Sequence, residues 1–189
     1  MHFLVIYGPP AAGKMSVGDE ITRLTGIPVF HNHLSIEPVL RFFEFGTPAF
    51  GRLVNGFRRN LIEEIAHSDL PGVIFTFVWS FDHPGDRDFL GDLCTTFEDV
   101  GAEIAFIELR ASLDERLRRN RTEKRLAEKP SKRNLERSEQ NLRDLEQYRM
   151  QSENDFPFEH RHLVIDNTDR SAAEVGADIV EVLGIPLAD

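Results

Sequence analysis

The chain has 189 residues, of which 41% are hydrophobic and 29% charged, and this composition predicts one soluble globular domain rather than a disordered or fibrous chain. No apolar run approaches the roughly 20 residues of a membrane-spanning helix and no signal peptide follows Met1, so we expect a cytoplasmic protein that does not bind membranes. The formal net charge of −10 argues against a nucleic-acid partner.

Apolar patterns of strand and helix type alternate along the whole chain. In chain order they predict a strand at 3–7, a helix at 14–24, a strand at 28–30, helices at 35–43 and 50–66, a strand at 73–79, a helix at 87–100, a strand at 103–109, helices at 112–125 and 134–150, a strand at 162–166 and a helix at 171–183. This alternation is typical of a parallel sheet with helices on both faces. We therefore predict one α/β domain over residues 1–189, with ligands along the carboxyl edge of the sheet.

A glycine-rich loop joins the first predicted strand to the first helix. Residues 8–14 read GPPAAGK and fit the pattern G-x-x-x-x-G-K. In this pattern the backbone N–H groups surround a polyphosphate, the helix start adds its positive dipole end, and the lysine ammonium reaches the outer phosphates. The candidate nucleotide-binding residues are Gly8, Pro9, Pro10, Ala11, Ala12, Gly13, Lys14, Met15 and Ser16.

Residues 8–16 resemble the phosphate-binding loop of adenylate kinases, in which a small residue separates the lysine from a hydroxyl. Met15 stands where related loops have Ser or Thr, so Ser16 is the candidate contact to Mg²⁺, although a serine here can also cap its own helix. Most of the chain is similar to the nucleoside-monophosphate and shikimate kinases. The resemblance implies a three-layer α/β/α P-loop fold with a five-stranded parallel sheet in the order 2-3-1-4-5, ATP and Mg²⁺ as cofactors, an acceptor region at 31–68 and a helical lid at 117–138.

The predicted lid is basic, since ten of the 22 Lys and Arg residues lie between positions 116 and 137. In the kinases that the chain resembles, lid arginines cover the transferring phosphates, because a guanidinium clamps phosphate oxygens and offsets developing charge. The resemblance implies this role for Arg116 and Arg119 first, and for Arg121 and Arg125 next. The alternative is a solvated helix with ion pairs to neighbouring glutamates.

The last predicted strand is followed by an Asn-Thr-Asp turn and a helix. In the same kinases this loop passes beside the adenine base. The resemblance therefore implies that Asn167 and Thr168 hydrogen-bond to the ring, while the same residues are also good turn formers.

The acceptor region departs from the shikimate kinases, because His31 and His33 stand where that family has Asp-x-Asp. A Phe-Arg pair ending in Arg58 is similar to that family, so Arg58 joins the two histidines and Trp79 as a candidate acceptor contact. The general base is either Asp82, which follows the third strand, or one of the histidines.

Taken together, the resemblance implies an enzyme that moves the γ-phosphoryl group of ATP to a hydroxyl or phosphate of a small molecule. Two family patterns are missing after the third strand, the glycine triplet of shikimate kinases and the Asp-Gly-x-Pro-Arg of nucleotide kinases. Two alternatives therefore stay open: a nucleoside-monophosphate kinase with an altered acceptor site, and an ATP-binding regulatory protein without catalysis. Either a monomer or a homodimer fits the apolar helices at 42–57.

Overall fold

The computed structural model describes residues 1–188 and, within them, every side chain except those of residues 124 and 125. The strands are β1 (His2–Tyr7), β2 (Val29–Phe30), β3 (Gly72–Phe77), β4 (Glu103–Arg110) and β5 (Arg161–Asp166). The helices are α1 (Lys14–Thr25), α2 (His33–Leu40), α3 (Pro48–Ala66), α4 (Pro84–Glu98), α5 (Leu113–Asn120), α6 (Glu123–Glu128), α7 (Leu135–Asp144) and α8 (Ala172–Leu183). Two short 3-10 turns, Pro130–Lys132 and Leu145–Gln147, lie on either side of α7.

The five strands form one parallel sheet in the order β2-β3-β1-β4-β5, which confirms the predicted three-layer α/β/α fold. Strand β1 lies at the centre and pairs with β3 on one side and β4 on the other. Its last residue, Tyr7, lies opposite Phe77 and Glu108. The loops after these three strands therefore leave the sheet at the same edge, where the predicted ligands would lie.

Both faces of the sheet are buried, which explains why its strands are apolar at successive positions. On one face Phe3 and Val5 pack against α3 and α4, with Ile62 and Leu90 as partners. On the other face the alternate residues of β1 pack against α1 and α8. Glycine is required where the chain enters β3, because a Cβ at Gly72 would lie 1.9 Å from the His2 carbonyl oxygen.

Several predicted elements end earlier or are divided in the structure. Strand β3 stops at Phe77 rather than at residue 79, because its neighbour β1 ends at Tyr7 and offers nothing further to pair with. The helix predicted at 112–125 divides into α5 and α6, and Asn120 ends α5 with its buried amide oxygen accepting from Ser138 Oγ at 3.0 Å. The helix predicted at 134–150 ends at Asp144 and continues only as a 3-10 turn.

Among the helices of residues 1–188, none combines the length and the apolar character that crossing a membrane requires.

Candidate nucleotide and acceptor cleft

A cleft of about 1780 Å³ opens at the carboxyl edge of the sheet. Its walls are the loop between β1 and α1, helices α2 and α3, the segment after β3, the basic segment from α5 to α7, and the loop between β5 and α8. Pockets that hold one drug-sized ligand are on the order of 300–1000 Å³. The cleft therefore has room for a nucleotide and a second small molecule side by side.

The glycine-rich loop lies in the predicted place, between β1 and α1, and its backbone needs unusual torsion angles. The φ angles of Gly8, Ala11 and Gly13 are 138°, 65° and 96°. A Cβ at Gly8 would lie 2.3 Å from the carbonyl oxygen of Leu109, so the loop packs directly on the end of β4. Only glycine fits at this position.

The end of this loop fits a polyphosphate. Lys14 begins α1, and its ammonium donates to the carbonyl oxygens of Gly8 and Pro9 at 2.6 and 2.7 Å. The N-cap residue, Gly13, has no side chain to cover the first-turn N–H groups, and the cleft reaches residues 13–17. A helix start of this kind favours an anion through its N–H groups and its dipole.

Ser16 and Met15 both border the cleft in the first turn of α1, and Met15 is mostly buried. Among the residues that the structure describes, no three His, Cys, Asp or Glu side chains gather as a protein metal site would.

Arg119 ties the phosphate loop to the loop between β5 and α8. Its guanidinium donates to Ala12 O at 3.1 Å, to Asn167 O at 2.7 Å and to Thr168 O at 3.3 Å. Asn167 is 2% exposed, and its amide donates to Ala12 O at 2.9 Å. The structure thus brings three predicted nucleotide residues, Arg119, Asn167 and Thr168, to one end of the cleft, with the Asn167 amide already used to hold the loops together.

The structure does not bring Arg116 or Arg121, two other predicted lid arginines, to the cleft. Arg116 is 3% exposed, donates to Ala111 O at 3.2 Å, and pairs at 2.5 Å with Glu146, in the 3-10 turn that follows α7. Arg121 points to solvent and pairs with Glu139 at 2.6 Å. The side chain of Arg125 lies outside the described residues.

Other basic residues of the same segment border the cleft and were not singled out from the sequence. They are Arg118, Lys129, Lys132 and Arg137. Basic residues of this segment therefore line the cleft, and which of them do so depends on how α5 and α7 pack.

The two predicted histidines lie in different surroundings. His33 begins α2 and borders the cleft, with Nδ1 2.8 Å from Glu37 Oε1. His31 is buried just before α2, and its Nε2 lies 3.8 Å from Glu128 Oε2. Burial lowers the pKa of His31, and Lys129 adds to this effect while Glu128 opposes it. Only His33 is placed to meet a ligand in the cleft.

Arg58 borders the cleft, but its guanidinium is already engaged by the protein. It donates to Ser35 Oγ at 2.9 Å and to Asn32 Oδ1, and it lies 5.8 Å from the ring of Phe77. Burial lowers the pKa of Arg58 to about 10, and the nearby Asp86 opposes this shift. The predicted acceptor contact thus acts mainly as a bridge between α3 and α2.

Asp86 is a cleft residue that the sequence analysis missed. It lies in the first turn of α4, and its Oδ2 accepts from the backbone N–H of Ser80 at 3.0 Å. Burial raises the pKa of Asp86, and the Ser80 N–H, His83 and Arg58 oppose this shift. Pro84 could have predicted this position, because a proline often occupies the first position of a helix and Asp86 then lies in the first turn of α4.

Asp82 and Trp79 lie away from the cleft, which corrects two predicted roles. Asp82 accepts from the backbone N–H of Arg149 at 2.7 Å, on the outer side of the segment after β3. Trp79 is 1% exposed and stacks on Phe81 with ring centroids 4.3 Å apart. Beyond the end of β3 at Phe77, the Trp79 ring packs against the rings of Phe156 and Phe158.

A buried carboxylate next to the phosphate loop was also missed. Glu108 has no exposed surface, and it accepts from Tyr7 Oη at 2.8 Å, Ser152 Oγ at 2.5 Å and Arg110 Nε at 2.6 Å. His162 Nε2 lies 3.5 Å away. Burial alone would raise the pKa of Glu108, but the hydrogen bonds from His162, Ser152, Tyr7 and Arg110 lower it to about 2.

No protein-family model matches the sequence, and no curated protein matches it. Solved structures do match. Shikimate kinase from Acinetobacter baumannii, solved in complex with shikimate, is 20% identical with a TM-score of 0.59, over 96% of this chain and 92% of that chain. A sugar kinase from a Janibacter species is 13% identical with a TM-score of 0.59, over 98% and 95% of the two chains. The tunicamycin resistance protein of Deinococcus radiodurans is 17% identical with a TM-score of 0.53, over 100% and 99%. At these identities the likeness shows a shared fold, and function must be argued from the site.

Proposed function

We propose that this protein is a small-molecule kinase, which transfers the γ-phosphoryl group of ATP to a hydroxyl of a small acceptor. The observation that carries the proposal is one continuous cleft with a polyphosphate-type loop at one end and His33 and Asp86 at the other. The kinase fold of the solved neighbours is consistent with this arrangement.

The basic side of the cleft would hold the phosphates. Lys14 and the first-turn N–H groups of α1 face the outer phosphates, and Ser16 would contact the Mg²⁺ ion, which offsets phosphate charge when bound. Arg118 and Arg119 border the same end. Hydrogen bonds from these two arginines lower the pKa of Glu115 to about 2, so Glu115 holds both guanidinium groups in place.

His33 is the proposed general base. Its Nε2 accepts the proton of the acceptor hydroxyl while that oxygen bonds to the γ-phosphorus and the bond from that phosphorus to the bridging oxygen of ADP breaks. A histidine is suited to this step because its ordinary pKa lies near neutral pH. The competing candidate, Asp82, lies outside the cleft and accepts from Arg149.

The acceptor end of the cleft favours a neutral or cationic molecule with an apolar part. Its wall includes the apolar side chains of Ile36, Phe50 and Val54, which form one buried cluster between α2 and α3. Arg58 donates hydrogen bonds to Ser35 and Asn32, and the nearby Asp86 carboxylate partly compensates its positive charge. Arg58 therefore offers little attraction to a carboxylate of the acceptor. An apolar wall beside a few placed polar groups is the usual form of a small-molecule site.

The test is Mg²⁺-dependent ADP release from ATP, measured with three pools of hydroxyl compounds that are neutral, cationic or anionic. We expect stimulation by a neutral or cationic pool, and loss of that stimulation in Lys14→Met. His33→Gln should lower kcat by on the order of 100-fold, the usual contribution of a general base, whereas Asp82→Asn should stay near wild type. ATP binding without stimulation by any pool would instead favour a nucleotide-binding regulator.

A further inference from the structure

Among the described residues, the lid segment (residues 117–138) contacts α2 at the carboxylate of Glu37. The hydroxyl of Ser131, in the 3-10 turn Pro130–Lys132, donates to Glu37 Oε1 at 2.5 Å, and the backbone N–H of Ser131 reaches Glu37 Oε2 at 3.3 Å. These residues are 94 positions apart in the chain. Glu37 therefore joins two elements that nothing in the local sequence connects.

The same carboxylate oxygen contacts the proposed base. Glu37 Oε1 lies 2.8 Å from Nδ1 of His33, one helical turn away on α2. A carboxylate oxygen accepts hydrogen bonds, so this contact places the imidazole proton of neutral His33 on Nδ1. Nε2 is then the basic atom, and the ring is held in one orientation.

A second contact joins the same two parts of the molecule. Glu128, at the end of α6, approaches His31 just before α2, at 3.8 Å between Oε2 and Nε2. Among the described side chains, Glu128 and Ser131 of the lid segment thus meet the start of α2, and the Ser131 contact reaches Glu37, a group that touches His33.

We propose that Glu37 is a positioning residue that couples docking of the lid segment to the orientation of His33. When Ser131 binds, its hydroxyl and N–H hold both carboxylate oxygens, and the carboxylate in turn holds the imidazole. When the lid segment moves away, Glu37 loses its two hydrogen bonds from Ser131 and regains side-chain freedom. The base is therefore correctly oriented only while the phosphates are covered. This inference rests on the proposed function, because it needs His33 to act on an acceptor.

The first test does not require turnover. In the full chain labelled with [¹⁵N]histidine and bound to Mg²⁺ and a non-hydrolysable ATP analogue, long-range ¹H–¹⁵N spectra identify the tautomer of each histidine. His33→Gln assigns the His33 signal. We expect the Nδ1–H tautomer in wild type, a mixture of tautomers in Glu37→Gln, and a partial mixture in Ser131→Ala. Glu64→Gln, an exposed carboxylate on α3, should match wild type. A Glu37→Gln or Ser131→Ala spectrum identical to wild type would overturn the inference.

The second test uses an acceptor found by the ADP-release assay. Ser131→Ala should lower kcat by on the order of tenfold, the effect of one hydrogen bond to a charged group, with the KM for ATP within about twofold of wild type. Ser131→Thr keeps the hydroxyl and should recover most of the rate. Equal losses in both Ser131 variants would mean that the side chain only fills space, and the coupling would be wrong. Full turnover in His33→Gln would also overturn the coupling, while leaving the kinase proposal intact. The tautomer spectra test the coupling even when no acceptor is known.

Discussion

Replacing Glu108 by glutamine removes the negative charge of a buried residue while keeping its shape. Glu108 lies beside Tyr7, the last residue before the phosphate loop, and it accepts from hydroxyl groups of Tyr7 and Ser152 and from Arg110. An amide can accept on only one of its two terminal atoms, so at least one of these donors loses its partner. We expect Glu108→Gln to lower the free energy of unfolding.

The magnitude follows from the pKa of Glu108, which is about 2 in the folded protein and 4.5 as the ordinary value. A depressed folded pKa means that ionised Glu108 stabilises the fold above pH 4.5, and that this contribution is lost as the pH falls from 4.5 toward 2. At about 1.4 kcal/mol per pKa unit, the contribution at pH 7 is about 3 kcal/mol, and about 1 kcal/mol remains at pH 3.

The assay is urea unfolding of wild type and Glu108→Gln at a series of pH values between 7 and 3. The difference in unfolding free energy should be about 3 kcal/mol at pH 7 and should shrink by about 2 kcal/mol at pH 3. In a thermal melt the same change corresponds to a lower Tm by roughly 6–12 °C for a chain of this size. Glu103→Gln, an exposed carboxylate on the same strand, is the matched control and should change stability by less than about 1 kcal/mol.

A difference that stays below about 1 kcal/mol at pH 7, or that does not change between pH 7 and pH 3, would refute this reasoning. The first result would mean that the buried network tolerates a neutral residue. The second would mean that folding does not shift the pKa of Glu108, since groups common to both proteins cancel in the difference.

Two further predictions concern the phosphate loop. Gly8→Ala places a Cβ 2.3 Å from the Leu109 carbonyl oxygen, so the affinity for ATP, measured by calorimetry, and the Tm should both fall. The control Gly56→Ala has open space around it in α3 and should raise the free energy of unfolding by about 1 kcal/mol. A Gly8→Ala protein that binds ATP normally would contradict the loop geometry. Arg119→Lys loses the planar guanidinium that reaches Asn167 O and Ala12 O, so the Kd for ATP should rise on the order of tenfold. Arg121 lies outside the cleft, so the Kd of Arg121→Lys should stay within about twofold of wild type. Equal changes in Kd for the two variants would contradict this distinction.

Much of the fold could be predicted because its signals are local. The apolar run that became β1 has both faces buried, and the glycine pattern after it marks a loop that only glycine can form at Gly8. Helix α8 begins at Ser171 with a capping box to Glu174, which is also a local pattern. The pattern of apolar side chains in a strand or a helix repeats every two to four residues, so it can be recognised directly in the sequence.

The predicted lid illustrates where local signals stop being sufficient. Its basic composition was visible in the sequence, yet Arg116 is covered by α7 while Arg118 borders the cleft. Neighbouring positions on a helix point in different directions, and which direction faces a ligand depends on the helix packed beside it. Asp82 and Asp86 are only four residues apart, yet Asp82 accepts from the backbone N–H of Arg149 and Asp86 from that of Ser80.

The sequence by itself determined the order of strands and helices, the phosphate-type loop at Lys14 and the polar segment that begins at His31, because each depends on residues that are neighbours in the chain. Only the tertiary structure decided which side chains meet in the cleft. Asp82 accepts from Arg149, 67 residues away, and Glu37 accepts from Ser131, 94 residues away. Hydrogen bonds act over about 3 Å in space, and a chain pattern of a few residues carries no information about such distant partners.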